Sequence, residues 1–255
     1  MMVTADPTSR FSSRVENYIR YRPGYPSAVL ETLRDECGLT AASVIADVAC
    51  GTGIFTKVLL ANGNAVFAVE PNREMREAAE RLLAAYPSFT SVAGSAESTT
   101  LPDHSVDFAT AAQAAHWFDL VKARKEFMRI LKPGGWAVLI WNERSTDTTP
   151  FLRAYEELLL AYGTDYEQVR HEHTTDKIGD FFLSSPFQSR EFDMRQEFGY
   201  ADLAGRLLSS SYAPMQGHPK YAPMLDELRG VFEHFKENGR VAMDYRTKLF
   251  FGHLG

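Results

Sequence analysis

Between Ser43 and Asn142 the apolar positions follow two alternating rhythms. Short continuous apolar runs suit strands buried on both faces. Between them, apolar residues recur every three or four positions, as on one face of a helix. The runs Ser43–Val48, Ala65–Val69, Phe89–Ala93, Val106–Ala112 and Trp136–Trp141 predict five strands. Helices are predicted over Ile54–Asn62, Arg73–Tyr86 and Leu120–Leu131, with Asn72 as an N-cap and Gly63 and Pro133-Gly134-Gly135 as stops. Strand and helix in this alternation predict a parallel sheet wound by right-handed crossovers.

The flanks are patterned differently. An aromatic-rich lead, Phe11 to Tyr25, precedes a predicted helix over Ser27–Cys37. Beyond residue 143 the pattern predicts a helix over Phe151–Tyr162, a polar stretch, a strand around Phe192, a helix over Tyr221–Lys236 and a strand over Val241–His253. No internal repeat, low-complexity tract or linker interrupts the chain. The expectation is one domain over residues 1–255, with a core at about 43–142 plus C-terminal strands and a lid from 1–40 and about 145–235.

Composition narrows the function. The 255 residues are 45% hydrophobic and carry 27 basic against 33 acidic side chains, a formal charge of −6. That sign opposes a phosphate-tracking surface, so no nucleic-acid partner is expected. No apolar run approaches the ~20 residues of a membrane helix. The polar stretch Met1–Arg14 is no secretory signal, and Cys37 and Cys50 form no disulfide framework, so a cytoplasmic protein is expected. Arg10, Arg14, Arg20 and Arg22 nevertheless make the lead locally basic, which leaves room for a small acidic molecule.

The strongest motif is Asp47-Val-Ala-Cys-Gly51-Thr-Gly53, which follows a predicted strand and opens a predicted helix. Glycines 51 and 53 permit a sharp turn and close backbone approach to a ligand, and the helix behind them offers unpaired N–H groups. Glu70 ends the next strand about twenty residues beyond Gly51, where a carboxylate can accept from both hydroxyls of a ribose. The third position of a dinucleotide fingerprint is Thr56 here, and Asp47 points toward the same space. An acid there suits a cationic ligand better than a pyrophosphate.

With these features the sequence resembles the class I S-adenosylmethionine-dependent methyltransferases, in particular the small-molecule branch known as methyltransferase type 11. The resemblance is carried by Asp47–Gly53, Val69-Glu70-Pro71-Asn72, Gly94-Ser-Ala-Glu97, Asp107–Trp117 and Leu131-Lys-Pro-Gly-Gly135. Ser95 stands where the family often has Asp, and Cys50 where a smaller residue is common. The lead, from Phe11 through Tyr18 and Arg22 to Pro26, is similar to a bacterial subgroup related to trans-aconitate methyltransferases.

The resemblance implies a Rossmann-like, seven-stranded, mostly parallel sheet with helices on both faces and a helical lid. It implies S-adenosylmethionine as cofactor and S-adenosylhomocysteine as product. Glu70 would bind the ribose, Pro71 and Met75 would flank the adenine, and Ser95, Ala96 and Glu97 would meet its edge. Gly51, Gly53 and the backbones of Ala49 and Gln113 would hold the methionyl part, with Asp47 near its ammonium group. Tyr18 and Arg22 would face the same end; the alternative is that they only pack a helix onto the sheet.

Past the fourth strand, His116 is the candidate catalytic residue, either as general base or as hydrogen-bond donor, and otherwise a wall histidine. His171 and His173 lack a third ligand at suitable spacing, so no metal site is expected. The expected reaction is methyl transfer to a small-molecule acceptor, a carboxylate or hydroxyl, by a monomer or homodimer. The alternatives are a non-catalytic binder of the same cofactor and an NAD-linked oxidoreductase.

Overall fold

A computed structural model describes residues 14–169, 174–183 and 185–255. Arg10, Phe11, His171 and His173 lie outside the described residues. The strands are β1 (Val44–Val48), β2 (Ala65–Val69), β3 (Phe89–Val92), β4 (Val106–Ala112), β5 (Leu131–Arg144), β6 (Phe187–Phe198) and β7 (Val241–Gly252). The helices are α1 (Val15–Tyr21), α2 (Ser27–Cys37), α3 (Ile54–Ala61), α4 (Arg73–Leu83), α5 (Leu120–Ile130), α6 (Pro150–Tyr162), α7 (Tyr166–Val169), α8 (Thr174–Phe182), α9 (Tyr200–Leu208) and α10 (Tyr221–Phe235).

The strands form one seven-stranded sheet in the order β3-β2-β1-β4-β5-β7-β6. The first five are parallel, and β7 runs antiparallel to both neighbours. The mostly parallel sheet is therefore as the resemblance implied. Strand order reverses at β1, between β2 and β4, where open α/β sheets bind ligands beyond the carboxyl ends of the strands.

Both faces of the sheet are covered. Leu33, Leu59 and Leu83 from α2, α3 and α4 pack on one face with Ile45 and Phe108. Phe127, Ile130, Phe181 and Phe182 from α5 and α8 pack on the other with Ala109 and Leu139. A third apolar cluster joins α6, α9 and α10 to the far ends of β6 and β7 through Leu152, Leu207, Leu228 and Met243. Helix starts follow their caps: Asn72 accepts from the Met75 amide at 2.8 Å, and Thr149 from the Leu152 amide at 3.2 Å ahead of Pro150. Among the described residues no helix is long and apolar enough to cross a membrane.

The departures from expectation have physical causes. The fourth helix stops at Leu83, three residues before Tyr86. Strand β5 begins at Leu131, ahead of Pro133-Gly134-Gly135, which bulges instead of merely ending a helix. Val106 pairs with Leu131 and Phe108 with Trp136, and the slack is taken up at Gly134 (φ +76°). Lys132 reaches back to both Asp107 oxygens, at 2.9 and 3.0 Å, and clamps the bulge. Helices α7, α8 and α9 were not anticipated; each is short, and α9 packs against α1 and α10 as well as the neighbouring β6.

Helices α1 and α9 meet at Gly205, where an added Cβ would lie 2.0 Å from Tyr21 Cε2. Gly205→Ala should therefore force α1 away and cost about 1–3 kcal/mol. Tyr21→Ala in the same chain should recover much of that loss. Urea denaturation of the four proteins checks this, and strictly additive losses would rule the contact out.

Candidate active site

The turn after β1 is built on positive backbone angles: Ala49 at φ +55°, Gly51 at +59° and Gly53 at +84°. A non-glycine residue in this region costs about 1–2 kcal/mol, so Ala49 must be held there by its neighbours. The Cys50 amide donates to the Val69 carbonyl at 3.1 Å, and the Gly53 amide to the Cys50 carbonyl at 2.9 Å. Glu70 completes the frame: Oε2 accepts from the Gly51 amide at 2.8 Å and Oε1 from the Asn72 amide at 2.9 Å. Each oxygen keeps a further lone pair, which equips this carboxylate for a vicinal diol. Burial raises the Glu70 pKa, against the pull of the two amides.

The two glycines divide their duties. A Cβ on Gly51 would meet open space, consistent with a cradle for a ligand. A Cβ on Gly53 would lie 2.6 Å from Leu83 Cδ1. Gly53 is required by close packing of the turn against α4.

A cleft of about 210 Å³ opens above this turn. Tyr18, Ala49, Gly51, Glu70, Pro71, Met75, Ser95, Ala96, Glu97 and Gln113 all line it. Asp47 lies beneath, wholly buried, with Oδ2 accepting from Thr56 Oγ1 at 2.6 Å and Oδ1 from Thr110 Oγ1 at 3.0 Å. Thr56, the departure from a third glycine, thus anchors the acid. Burial, and then Asp47 and Glu70, push the Cys50 thiol well up, so it is no thiolate nucleophile.

A second, polar cavity of about 420 Å³ adjoins the first, and Tyr18, Gln113 and Trp117 line both. Gln113 (φ +62°) holds its left-handed backbone through a reciprocal clasp. Its Nε2 donates to the Asn142 carbonyl at 3.0 Å, and its Oε1 accepts from the Asn142 amide at 2.7 Å. His116 lies on a single 3₁₀ turn, Ala115–Trp117, and lines the second cavity but not the first.

Arg22 is on the second cavity, beside Tyr18, which lines both. Its Nη2 donates to the Ser209 carbonyl at 3.0 Å, and its guanidinium lies 4.9 Å from the Tyr18 ring centroid. Those contacts turn it toward α9. Sequence reasoning missed Arg206, Arg144, Tyr166 and Tyr212 on the same cavity. One signal was available for Arg206: an arginine set inside the apolar stripe Leu203–Leu207.

The methyltransferase-domain family profile matches residues 46–139. An uncharacterized methyltransferase of Mycobacterium tuberculosis is 37% identical over 248 residues, which span 95% of this chain and 94% of that protein. An uncharacterized methyltransferase-like protein of Schizosaccharomyces pombe is 34% identical over 156 residues, 61% of this chain and 59% of its own length. A solved structure from Anaeromyxobacter dehalogenans, named for a type II methyltransferase, shares the fold with a TM-score of 0.65 at 23% identity. It covers 92% of this chain and 98% of its own.

Asp47 allows a test of the turn itself. Burial raises its carboxyl to about 6, against the pull of the Thr56 and Thr110 hydroxyls. Its folded pKa therefore lies above the unfolded value, so ionisation opposes folding. The stability attached to the neutral form is complete below pH ~4 and is lost as pH rises through about 6. Asp47→Asn should remove this component, on the order of 2–3 kcal/mol, and flatten stability between pH 4 and 7. Denaturation at four pH values measures it; an unchanged slope would contradict the buried placement.

Proposed function

The chain belongs to the class I S-adenosylmethionine-dependent methyltransferases, and on that premise we propose that it methylates a small-molecule acceptor, a carboxylate or hydroxyl, seated in the polar cavity. One observation carries this reading: the cleft above the glycine turn and the polar cavity share only Tyr18, Gln113 and Trp117 as lining residues. That shared wall is where a group could pass from one ligand to the other.

The residues of the cleft fit the cofactor. Glu70 accepts from the ribose hydroxyls, and the open cradle at Gly51 leaves room for the methionyl backbone. Pro71, Met75 and Ala96 offer apolar surface to the adenine. Asp47, beneath the floor, supplies negative charge toward a cationic ligand. When bound, S-adenosylmethionine supplies a methyl group on a sulfonium, an electrophile that needs no acid catalyst.

The work left to the protein is placement. Tyr18 and Trp117 exclude water at the junction, and the clasped Gln113 fixes its geometry. Alignment of an acceptor within roughly 3–3.5 Å of the methyl accounts for most of the rate. A hydroxyl acceptor must also lose its proton, and the His116 imidazole on the cavity wall is placed to take it. A carboxylate acceptor has no proton to lose, and His116 then only positions it.

S-adenosylhomocysteine should raise the Tm in a thermal-shift titration, whereas NAD should not. Glu70→Ala should weaken that binding at least roughly tenfold, since charge-assisted hydrogen bonds are lost. Unchanged affinity would sink the ribose assignment. Release of S-adenosylhomocysteine should be measured with a panel of carboxylic and phenolic acceptors; tight binding with no turnover on any of them would leave a binding protein. With a hydroxyl acceptor His116→Ala should lower kcat about 10²–10⁴-fold, and with a carboxylate it should change little.

A further inference from the structure

The polar cavity is walled by an unusual number of cations, and most of them are neutralised in place. Arg144 pairs with Glu156, Arg246 with Glu191 at 3.2 Å, and Lys248 with Glu143. Arg22 and Arg206 are different. Neither forms an ion pair among the described residues. Arg206 is buried on α9; its Nε donates to the Tyr245 hydroxyl at 3.3 Å and its Nη1 to Ser210 Oγ at 3.2 Å. Among the described residues the hydrogen-bond partner of Arg22 is the Ser209 carbonyl, and its buried Nε has none. The two guanidiniums are close enough that Arg206, after burial itself, lowers the Arg22 pKa.

One buried and one half-buried guanidinium, side by side on one chamber and without a carboxylate partner among the described residues, are donors suited to a ligand carboxylate. We propose that Arg22 and Arg206 form an anchor for a carboxylate of the acceptor. The proposal rests on the polar cavity being the acceptor site. The anchored carboxylate is not the group that is methylated. Its lone pairs are engaged by two guanidiniums, which lowers their nucleophilicity at the moment of transfer. The acceptor is therefore a bifunctional small acid: one carboxylate binds between Arg22 and Arg206. A second nucleophilic oxygen reaches the junction at Tyr18, Gln113 and Trp117. Arg22 comes from the end of α1 and Arg206 from α9, so one carboxylate bridges two lid elements and gives specificity by charge and by span.

The test titrates the S-adenosylhomocysteine-saturated protein by calorimetry with succinate, its neutral diamide succinamide, and inorganic phosphate. Succinate should bind and succinamide should not. Arg206→Gln should weaken succinate at least roughly tenfold while S-adenosylhomocysteine affinity is kept, and Arg206→Lys should restore part of the loss. Should Arg206→Gln fail to fold, Arg22→Gln carries the same test from the half-buried residue that caps α1. Equal binding of succinamide, succinate binding untouched by both Gln variants, or no succinate binding at all would overturn the anchor. Preference for phosphate over succinate would overturn its assignment to a carboxylate. Loss of S-adenosylhomocysteine binding in the unaltered protein would instead overturn the reading of the cleft.

Discussion

The hydrogen bond from the Gly51 amide to Glu70 is the contact from which the site is organised. It joins the turn after β1 to the end of β2 across 19 residues of sequence, at the place where strand order reverses. An ionised carboxylate accepting two backbone N–H groups in a buried setting is among the stronger neutral-to-charged contacts available to a protein. It holds Gly51 in the left-handed region and leaves the outer lone pairs of Glu70 directed at the cleft. The Asp47 carboxylate does the equivalent from below, tied to α3 through Thr56 and to β4 through Thr110. Two acids, one beside and one beneath the turn, thus make a rigid rim with negative charge.

The lid is latched by arginines. Arg14 donates to the Leu208 carbonyl at 2.9 Å and to the Ala213 carbonyl at 2.6 Å, while Arg22 donates to Ser209. The Leu208 and Ser209 carbonyls lie at the C-terminal end of α9, where a helix leaves acceptors unpaired and the dipole favours cations. Helix α1 therefore docks on α9 partly through charge and partly through Tyr21 filling the space that Gly205 vacates. The docked pair brings Tyr18, Arg22 and Arg206 to the wall of the polar cavity.

Much of this was legible before any coordinates. The five parallel strands and their helices follow from local periodicity, and Asn72 announces α4 by a cap that bonds within one turn. Glu70 and Gly51 were legible because a strand, a glycine turn, a helix and a second strand confine their separation. Arg206 was legible only as an arginine inside the apolar stripe Leu203–Leu207, and that local signal does not say which cavity it faces. Its burial comes from Tyr245, 39 residues away, and from the α6–α10 cluster. Gly53 was legible as a glycine but not for its reason, since the side chain that excludes a Cβ there belongs to Leu83.

The composition, the alternation of strand and helix and the acid-and-glycine spacing determined the fold class, the family and the pairing of the glycine turn with Glu70. All of these depend on residues near one another along the chain. The tertiary structure decided where Arg22 points, which of two cavities His116 faces, and that two arginines from distant helices share one chamber. Those facts depend on contacts such as Arg14 to Leu208, separated by 194 residues, and no local pattern encodes a pairing at that range.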